Sequence, residues 1–486
     1  MARTLMDTIR KRGPIRKIGV IGMGYVGIPS ALLFADSNNF SFVYGFQRDS
    51  KSSGHKIKML NRGESPLKGE EPGLEELLRK VIAAKKFECT SDFSKISSLD
   101  AVTLAIQTPF QDTIDLLPDF SALTEGARMA GRYISEGALV VIESTITPGT
   151  TETLIKDILE KESGMKAGQD FALAHAPERV MVGRLLQNIR EHDRIVGGID
   201  KASTLRAIEL YSPILTKGKI IPMSATAAEV TKTAENTFRD LQIAAANELA
   251  LYCEAMGINF YDVRSGIDSL KGEGITRAIL WPGAGVGGHC LTKDTYHLER
   301  GVKMSKRPLD YPEGKDSLFV LARNINDFMP KHMFNLTISA LKRLNKSPMS
   351  SKVALLGWAF LSDSDDARNT PSEAYKKLLI NAGIKVNVHD PHVREYPGVR
   401  ISDNLYETIN DVDAIAVFAG HRQYRGLNPE DVKRIMGRNN PIVIDGRNII
   451  DADRFIQSGF VYKGIGRGDV NEHPVKMLVS NMPMIM

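Results

Sequence analysis

From Lys17 to about Ser224 the chain alternates short apolar, β-branched runs with stretches of helical period. KIGVIG, SFVYGF, AVTLAI, ALVVIES, FALAHAP, RIVGG and KIIPM read as strands, with PGLEELLRKVIAA and STLRAIELY among the helices between them. This alternation predicts a parallel, doubly wound sheet. From Ala225 to Met256 the period changes. Val230, Ala234, Phe238, Leu241, Ala245 and Leu249 recur at three- and four-residue spacing, which predicts one helix about 48 Å long. A second alternating series begins at Lys352 with KVALLGWAF and continues, after a helix from Pro371, through KVNVHDP, DAIAVFAG, PIVIDGR and FVYKGIG.

The expected fold is therefore α/β, with two Rossmann-like doubly wound parallel-sheet domains joined by a long central helix and a helical middle domain. The expected boundaries are a solvated tail over 1–16, a dinucleotide-binding domain over 17–224, a helical segment over 225–330 and a second sheet domain over 331–486. The long helix would expose a broad apolar stripe unless paired, so a homodimer or higher homo-oligomer is expected.

Composition narrows the function classes. The chain is 42% hydrophobic and 25% charged with a net charge of +5, and no clustered basic stripe suggests nucleic acid. No apolar run approaches the roughly 18 residues of a membrane span. The basic N-terminus MARTLMDTIRKRGPIRK lacks the apolar core of a secretory signal. Three cysteines, Cys89, Cys253 and Cys290, make neither a disulfide framework nor a zinc spacing, so no metal is expected and a reducing cytoplasm is the default.

The first strand runs into Gly22-Met23-Gly24-Tyr25-Val26-Gly27, a G-x-G-x-x-G turn opening a helix. Such a turn lets backbone amides and a helix N-terminus meet a dinucleotide pyrophosphate. About twenty residues on, where an acid usually binds the adenine ribose, stand Gln47 and Arg48. Gln47 removes the charge that repels a 2′-phosphate and Arg48 can pair with one, which leaves NADP open beside NAD. On the long helix, Lys232 and Asn236 are four residues apart and share a face, a cation and an amide suited to a developing oxyanion. In WPGAGVGGHCLTKD, Gly285, Gly287 and Gly288 allow close backbone approach. They present Cys290 beside Lys293, which favours a thiolate, and Asp294, which can orient water or act as a base.

Read in order, IGMGYVG, QTP at 107–109, STITPGTT at 144–151, APERVMVGR at 176–184, AEVTKTAENTFR at 228–239, PGAGVGGHCLTKD at 282–294 and GWAFLSDSDDARNTPS at 357–372 resemble the nucleotide-sugar 6-dehydrogenases over nearly the whole chain. That family includes the UDP-glucose, GDP-mannose and UDP-N-acetylhexosamine enzymes. The resemblance implies oxidation of a C6 alcohol to a carboxylate with two cofactor molecules, through a thiohemiacetal and a thioester on Cys290. It implies that Lys232 and Asn236 hold the C6 oxygen, and that Asp294 and Thr145 hold the water with Glu178 as base or orienter. Lys293 and Arg368 would reach cofactor phosphates and Thr108 the cofactor ribose. Glu178, Arg179, Val180, Gly283, Gly285, Gly287 and Arg277 would line the sugar, and the second sheet domain would hold UDP.

The chain departs from the family pattern at Leu361, where lysine is common, and at Thr292 and Thr295, which occupy proline places after the cysteine. His289 and Val182 resemble the N-acetylhexosamine branch, with mannosamine or galactosamine favoured. The acidic run Asp363, Asp365, Asp366 reads as a solvated loop. Competing readings are a UDP-glucose 6-dehydrogenase, a single-step 3-hydroxyacid or 6-phosphogluconate-type dehydrogenase, and a non-enzymatic sensor of NAD and a UDP-sugar.

Overall fold

A computed structural model describes residues 4–51, 53–67, 71–110, 117–270, 279–288, 290–304 and 317–468. The chain divides into two compact units, Met1–Glu235 with Tyr296–Asp310, and Asn236–Thr295 with Tyr311–Met486. The helix Ala225–Ala255 is shared between them, so the helical middle segment is apportioned between the units.

The first unit holds an eight-stranded sheet. Its strands are β1 (Lys17–Ile21), β2 (Phe42–Phe46), β3 (Phe87–Thr90), β4 (Ala101–Leu104), β5 (Leu139–Ile142), β6 (Ala172–His175), β7 (Arg194–Gly198) and β8 (Ile220–Ser224). The order is β3-β2-β1-β4-β5-β6-β7-β8. Strands apolar on both sides, such as LVVI of β5, are buried throughout because helices cover both faces. One pair departs from the expected all-parallel sheet: β7 runs antiparallel to β6, with Ala174 opposite Gly198. The short connection through Leu185–Glu191 brings the chain back along the neighbouring strand instead of crossing over.

The expected solvated tail is also corrected. Leu5–Arg12 is a helix with a Thr4/Asp7 capping box, Leu5 and Ile15 are buried, and Arg12 pairs with Asp100 at 3.0 Å. The many basic residues masked a short T-x-x-D capping signal ahead of an amphipathic turn.

The second unit holds five parallel strands, β9 (Lys352–Leu356), β10 (Lys385–His389), β11 (Ala414–Val417), β12 (Ile442–Asp445) and β13 (Val461–Gly464), in the order β10-β9-β11-β12-β13. Strand order reverses at β9 and β11, as it does at β1 and β4 in the first sheet. Ligands of such sheets sit at the carboxyl ends of the strands flanking that reversal.

Candidate active site

At the first reversal, the glycine loop follows β1 directly. A Cβ on Gly22 would meet Ala105 O at 2.6 Å, and one on Gly27 would meet Gly22 O at 1.9 Å. Nothing lies within 4 Å of a Cβ built on Gly24. Gly22 and Gly27 are thus required by the turn itself, whereas Gly24 leaves an open approach that a pyrophosphate can use. Gln47 supports this loop: Met23 N–H donates to its Oε1 at 3.2 Å, and its Nε2 donates to Ser53 Oγ at 3.0 Å. Lys56 Nζ donates to Met23 O at 2.9 Å. Arg48 is exposed, and Tyr25 and Val26 are half-buried on the loop.

The carboxyl ends of β4 and β5 are tied together. Thr108 Oγ1 donates to Thr145 O at 2.6 Å, and Ser144 Oγ donates to Ile106 O at the same distance. The following turn is held from the long helix by Glu229, whose carboxylate accepts N–H bonds from Gly149 (2.5 Å) and Thr151 (2.8 Å). Burial pushes that carboxyl up to about 7. Lys232, one turn further along the helix, is buried.

Glu178 sits in a charged cluster. Its Oε1 accepts the Arg179 N–H at 2.8 Å, and its other oxygen contacts Arg194. Arg194 also donates to Glu143 Oε1 at 2.9 Å and to Ala176 O at 3.0 Å, while Tyr211 OH donates to Glu143 at 2.7 Å. Burial raises Glu143 and the Tyr211 phenol above their ordinary values. His175, fully buried with neither ring nitrogen hydrogen-bonded, is pushed down to about 3 by burial, with Arg194 and Lys232 adding to it. Arg179 reaches Glu235 at 3.6 Å, and Val180 packs on the sheet core. Arg194 and Glu143 were not singled out from sequence. The RIVGG and VVIES runs read as strands, and a charge at a strand end carries no sequence signal of its partner.

In the second unit, Asn236 Nδ2 donates to Asp294 Oδ2 at 2.5 Å, and Lys293 Nζ donates to Oδ1 of the same carboxylate at 3.1 Å. Asp294 and Lys293 are buried. The Asp294 N–H donates to Cys290 O at 2.9 Å, where the helix Asp294–Met304 opens, and Cys290 itself is exposed while Cys89 and Cys253 are buried. The turn thus carries an exposed thiol on the backbone that seats a buried carboxylate bonded by an amide and an ammonium. The lysine is placed on Asp294, so its charge is shared with that carboxylate instead of being reserved for the thiol. Gly283 N–H donates to Asn247 Oδ1 at 2.9 Å, and a Cβ on Gly285 would meet Pro371 at 2.7 Å. Arg277 and His289 lie outside the described residues.

Arg368 forks onto Asp366, with Nε at 2.8 Å and Nη2 at 2.5 Å. The acidic run is therefore not simply solvated. Asp363, His392 and His421 also come together with ligand atoms within 4.8 Å. His421 Nδ1, however, already accepts the Asp363 N–H at 2.8 Å while Nε2 faces Asp390 at 3.2 Å, so the ring has no lone pair left for a cation.

Comparison with known proteins gives a consistent picture. Residues 16–215, 226–316 and 354–452 match, in turn, the NAD binding, central and UDP binding domains of the UDP-glucose/GDP-mannose dehydrogenase family. The crystal structure of NDP-N-acetyl-D-galactosaminuronic acid dehydrogenase from Methanosarcina mazei Go1 is 71% identical and covers 97% of this chain and 99% of its own, with a TM-score of 0.91. UDP-N-acetyl-D-mannosamine dehydrogenase of Pyrococcus horikoshii is 36% identical over 454 residues, 93% of this chain and 100% of that one. A solved UDP-D-ManNAc dehydrogenase structure from Pyrococcus horikoshii has a TM-score of 0.81 at 35% identity, covering 93% of this chain and 100% of that one.

Proposed function

The chain belongs to the UDP-glucose/GDP-mannose dehydrogenase family, and from that premise we propose that it oxidises the C6 alcohol of a UDP-N-acetylhexosamine to the uronic acid in two steps through Cys290. It is an NAD-binding oxidoreductase. The observation that carries the two-step reading is the exposed Cys290 at the turn that seats Asp294, with Asn236 and Lys293 on that carboxylate. A single hydride removal, as in 3-hydroxyacid dehydrogenases, needs no thiol.

When bound, NAD would accept hydride from the substrate carbon, one cofactor molecule for each of the two oxidations; the open backbone at Gly24 and the loop held by Gln47 would seat it. Lys232 and Asn236 hold the C6 oxygen. Asn236 uses one amide N–H on Asp294, which leaves its second for the substrate. The C6 hydroxyl proton passes to water held by Asp294, and loss of hydride leaves an aldehyde. The Cys290 thiolate adds to that carbon, and the new alkoxide takes a proton as the thiohemiacetal forms. Removal of a second hydride and of the hydroxyl proton gives the thioester. Water oriented by Asp294 then attacks the carbonyl and passes its protons through that carboxylate to solvent, the C–S bond breaks, and the Cys290 thiolate leaves a carboxylate. Lys232, 8% exposed, stabilises each oxyanion from a poorly hydrated position.

The names of the similar proteins support an N-acetylhexosamine with manno or galacto configuration. Limiting UDP-N-acetylmannosamine, UDP-N-acetylgalactosamine, UDP-N-acetylglucosamine and UDP-glucose, each with excess NAD, identify the substrate by endpoint. Two reduced cofactors per sugar, with the second lost in Cys290→Ala, are expected. One per sugar in the intact enzyme would overturn the thioester route.

Association of two copies is part of the same reading. Of the predicted apolar stripe of the long helix, Val230 is 38% and Phe238 55% exposed and Leu249 packs inward, while the polar Thr237, Asp240 and Asn247 are buried. An apolar groove of about 540 Å³ runs along this helix against Leu318, Leu321 and Phe328 of the helix Leu318–Arg343. No helix among the described residues is long and apolar enough to cross a membrane. The free cysteines and the nucleotide cofactor support a cytoplasmic setting.

A further inference from the structure

The loop that leaves β9 lies at the reversal point of the second sheet, where a nucleotide is expected to bind. The two loops flanking that point touch: a Cβ on Gly357 would meet Ala419 at 2.5 Å. From there the chain runs directly to the turn that carries the thiol. Phe360 N–H donates to Asp366 O at 3.1 Å, which folds the segment back. The Phe360 ring then lies 2.9 Å from a Cβ built on Gly288, and a Cβ on Gly287 would meet Phe360 Cβ at 2.5 Å. Gly288 N–H donates to Arg368 O at 2.8 Å.

Asn369 completes this contact. It sits at φ 51°, a left-handed conformation that asparagine tolerates better than most side chains. Its Nδ2 donates to Gly288 O and to Thr292 Oγ1, both at 3.2 Å, and Thr292 Oγ1 donates to Gly288 O at 2.8 Å. On the far side of Cys290, its own carbonyl is held by the Lys293 and Asp294 N–H groups at 3.0 and 2.9 Å. The Thr292 hydroxyl and the Asn369 amide thus both converge on the Gly288 carbonyl and fix this turn by hydrogen bonding.

We propose that Asn369, with Thr292, is a positioning residue that transmits occupancy of the β9 loop by the nucleotide end of the substrate to the Cys290 thiol. Nucleotide binding orders the segment Phe360–Asn369, and the amide passes that order to the turn. The sugar is then met by a thiol whose turn nucleotide binding has tightened, which limits escape of the aldehyde between the two oxidations. The inference rests on the two-step reading above.

The test measures iodoacetamide labelling of Cys290 in the full-length enzyme, with UDP, which lacks the sugar, as probe. Cys89 and Cys253 are buried, so the labelled peptide reports Cys290 alone. UDP should slow labelling by about fivefold or more, the ordinary range for coupled sites. Asn369→Asp keeps the shape and the left-handed tolerance but removes both N–H donors. In this variant UDP should still bind by calorimetry, yet its effect on labelling should be lost. With the sugar substrate, reduced cofactor per sugar should fall from two toward one while KM for the sugar holds, and Thr292→Ala should move in the same direction. If UDP slows labelling equally in Asn369→Asp, the slowing is direct shielding and the proposal is overturned. An unchanged rate in the native enzyme despite UDP binding also overturns it. Failure of UDP to bind, together with two cofactors per sugar in Cys290→Ala, would instead sink the two-step reading itself.

Discussion

Arg194 Nη2 lies 2.9 Å from Glu143 Oε1, and both side chains are buried in the first unit. The same guanidinium contacts Glu178, so one cation serves two carboxylates, and Tyr211 supplies a further donor to Glu143. Replacing the cation by an apolar chain leaves two buried carboxylates without a counter-charge. Arg194→Met should destabilise the first unit by about 3–5 kcal/mol, measured by urea unfolding. Arg194→Lys should recover much of the stability, yet lower turnover because a single ammonium cannot fork between Glu143 and Glu178. Equal turnover in Arg194→Lys and the native enzyme would show that Glu178 needs no such anchoring.

The glycine loop separates packing from binding. Gly27→Ala puts a methyl 1.9 Å from Gly22 O and should cost about 2 kcal/mol or more of stability. Gly24→Ala meets no atom within 4 Å, so thermal stability should hold while KM for NAD rises and KM for the sugar does not. A Gly24→Ala enzyme with native KM for NAD would place the pyrophosphate elsewhere.

Two buried groups should give opposing slopes of stability with pH. Burial keeps His175 neutral down to about 3, against an ordinary 6.5. Its contribution is complete above 6.5 and is lost as pH falls below that, at about 1.4 kcal/mol per pH unit. Burial lifts Glu229 to about 7 from an ordinary 4.5, so the fold holds a proton that the unfolded chain releases, and stability falls as pH rises from 4.5 to 7. Between 4.5 and 6.5 the two offset each other. His175→Leu should leave a falling slope in that window and Glu229→Gln a rising one, read from urea midpoints at several pH values. Parallel profiles for the two variants would show that neither group titrates as described.

The outward part of the apolar stripe should hold two copies together. Phe238→Glu combined with Phe328→Glu should shift sedimentation velocity from dimer to monomer, because each places a carboxylate in the apolar face. A native protein that sediments as a monomer at micromolar concentration would remove the basis for this pairing.

Local pattern carried most of the fold. Strand and helix periods, the G-x-G-x-x-G turn and the long helix depend on residues near one another in the chain, and the structure has them where the pattern places them. Two readings failed for the same reason. The antiparallel β7 and the docked N-terminal helix depend on which distant surface an element meets, and neither strand direction nor docking leaves a local period. The long helix is the sharpest case. Its apolar spacing was visible, but only the folded chain decides that the polar side, with Glu229, Lys232 and Asp240, faces inward.

The same division holds at the site. Cys290, Lys293 and Asp294 are neighbours in sequence, so their chemistry was legible from one ten-residue stretch. That Asp294 takes its amide from Asn236, fifty-eight residues away, and that Asn369 grips the cysteine turn across seventy-seven residues from Thr292, is tertiary. By itself the sequence determined which functional groups exist and which local turns can present them. Only the tertiary structure decided which of them share a carboxylate, a cation or a backbone carbonyl. A hydrogen bond needs its partners about 3 Å apart, and only packing of the whole chain sets distances between residues far apart in sequence.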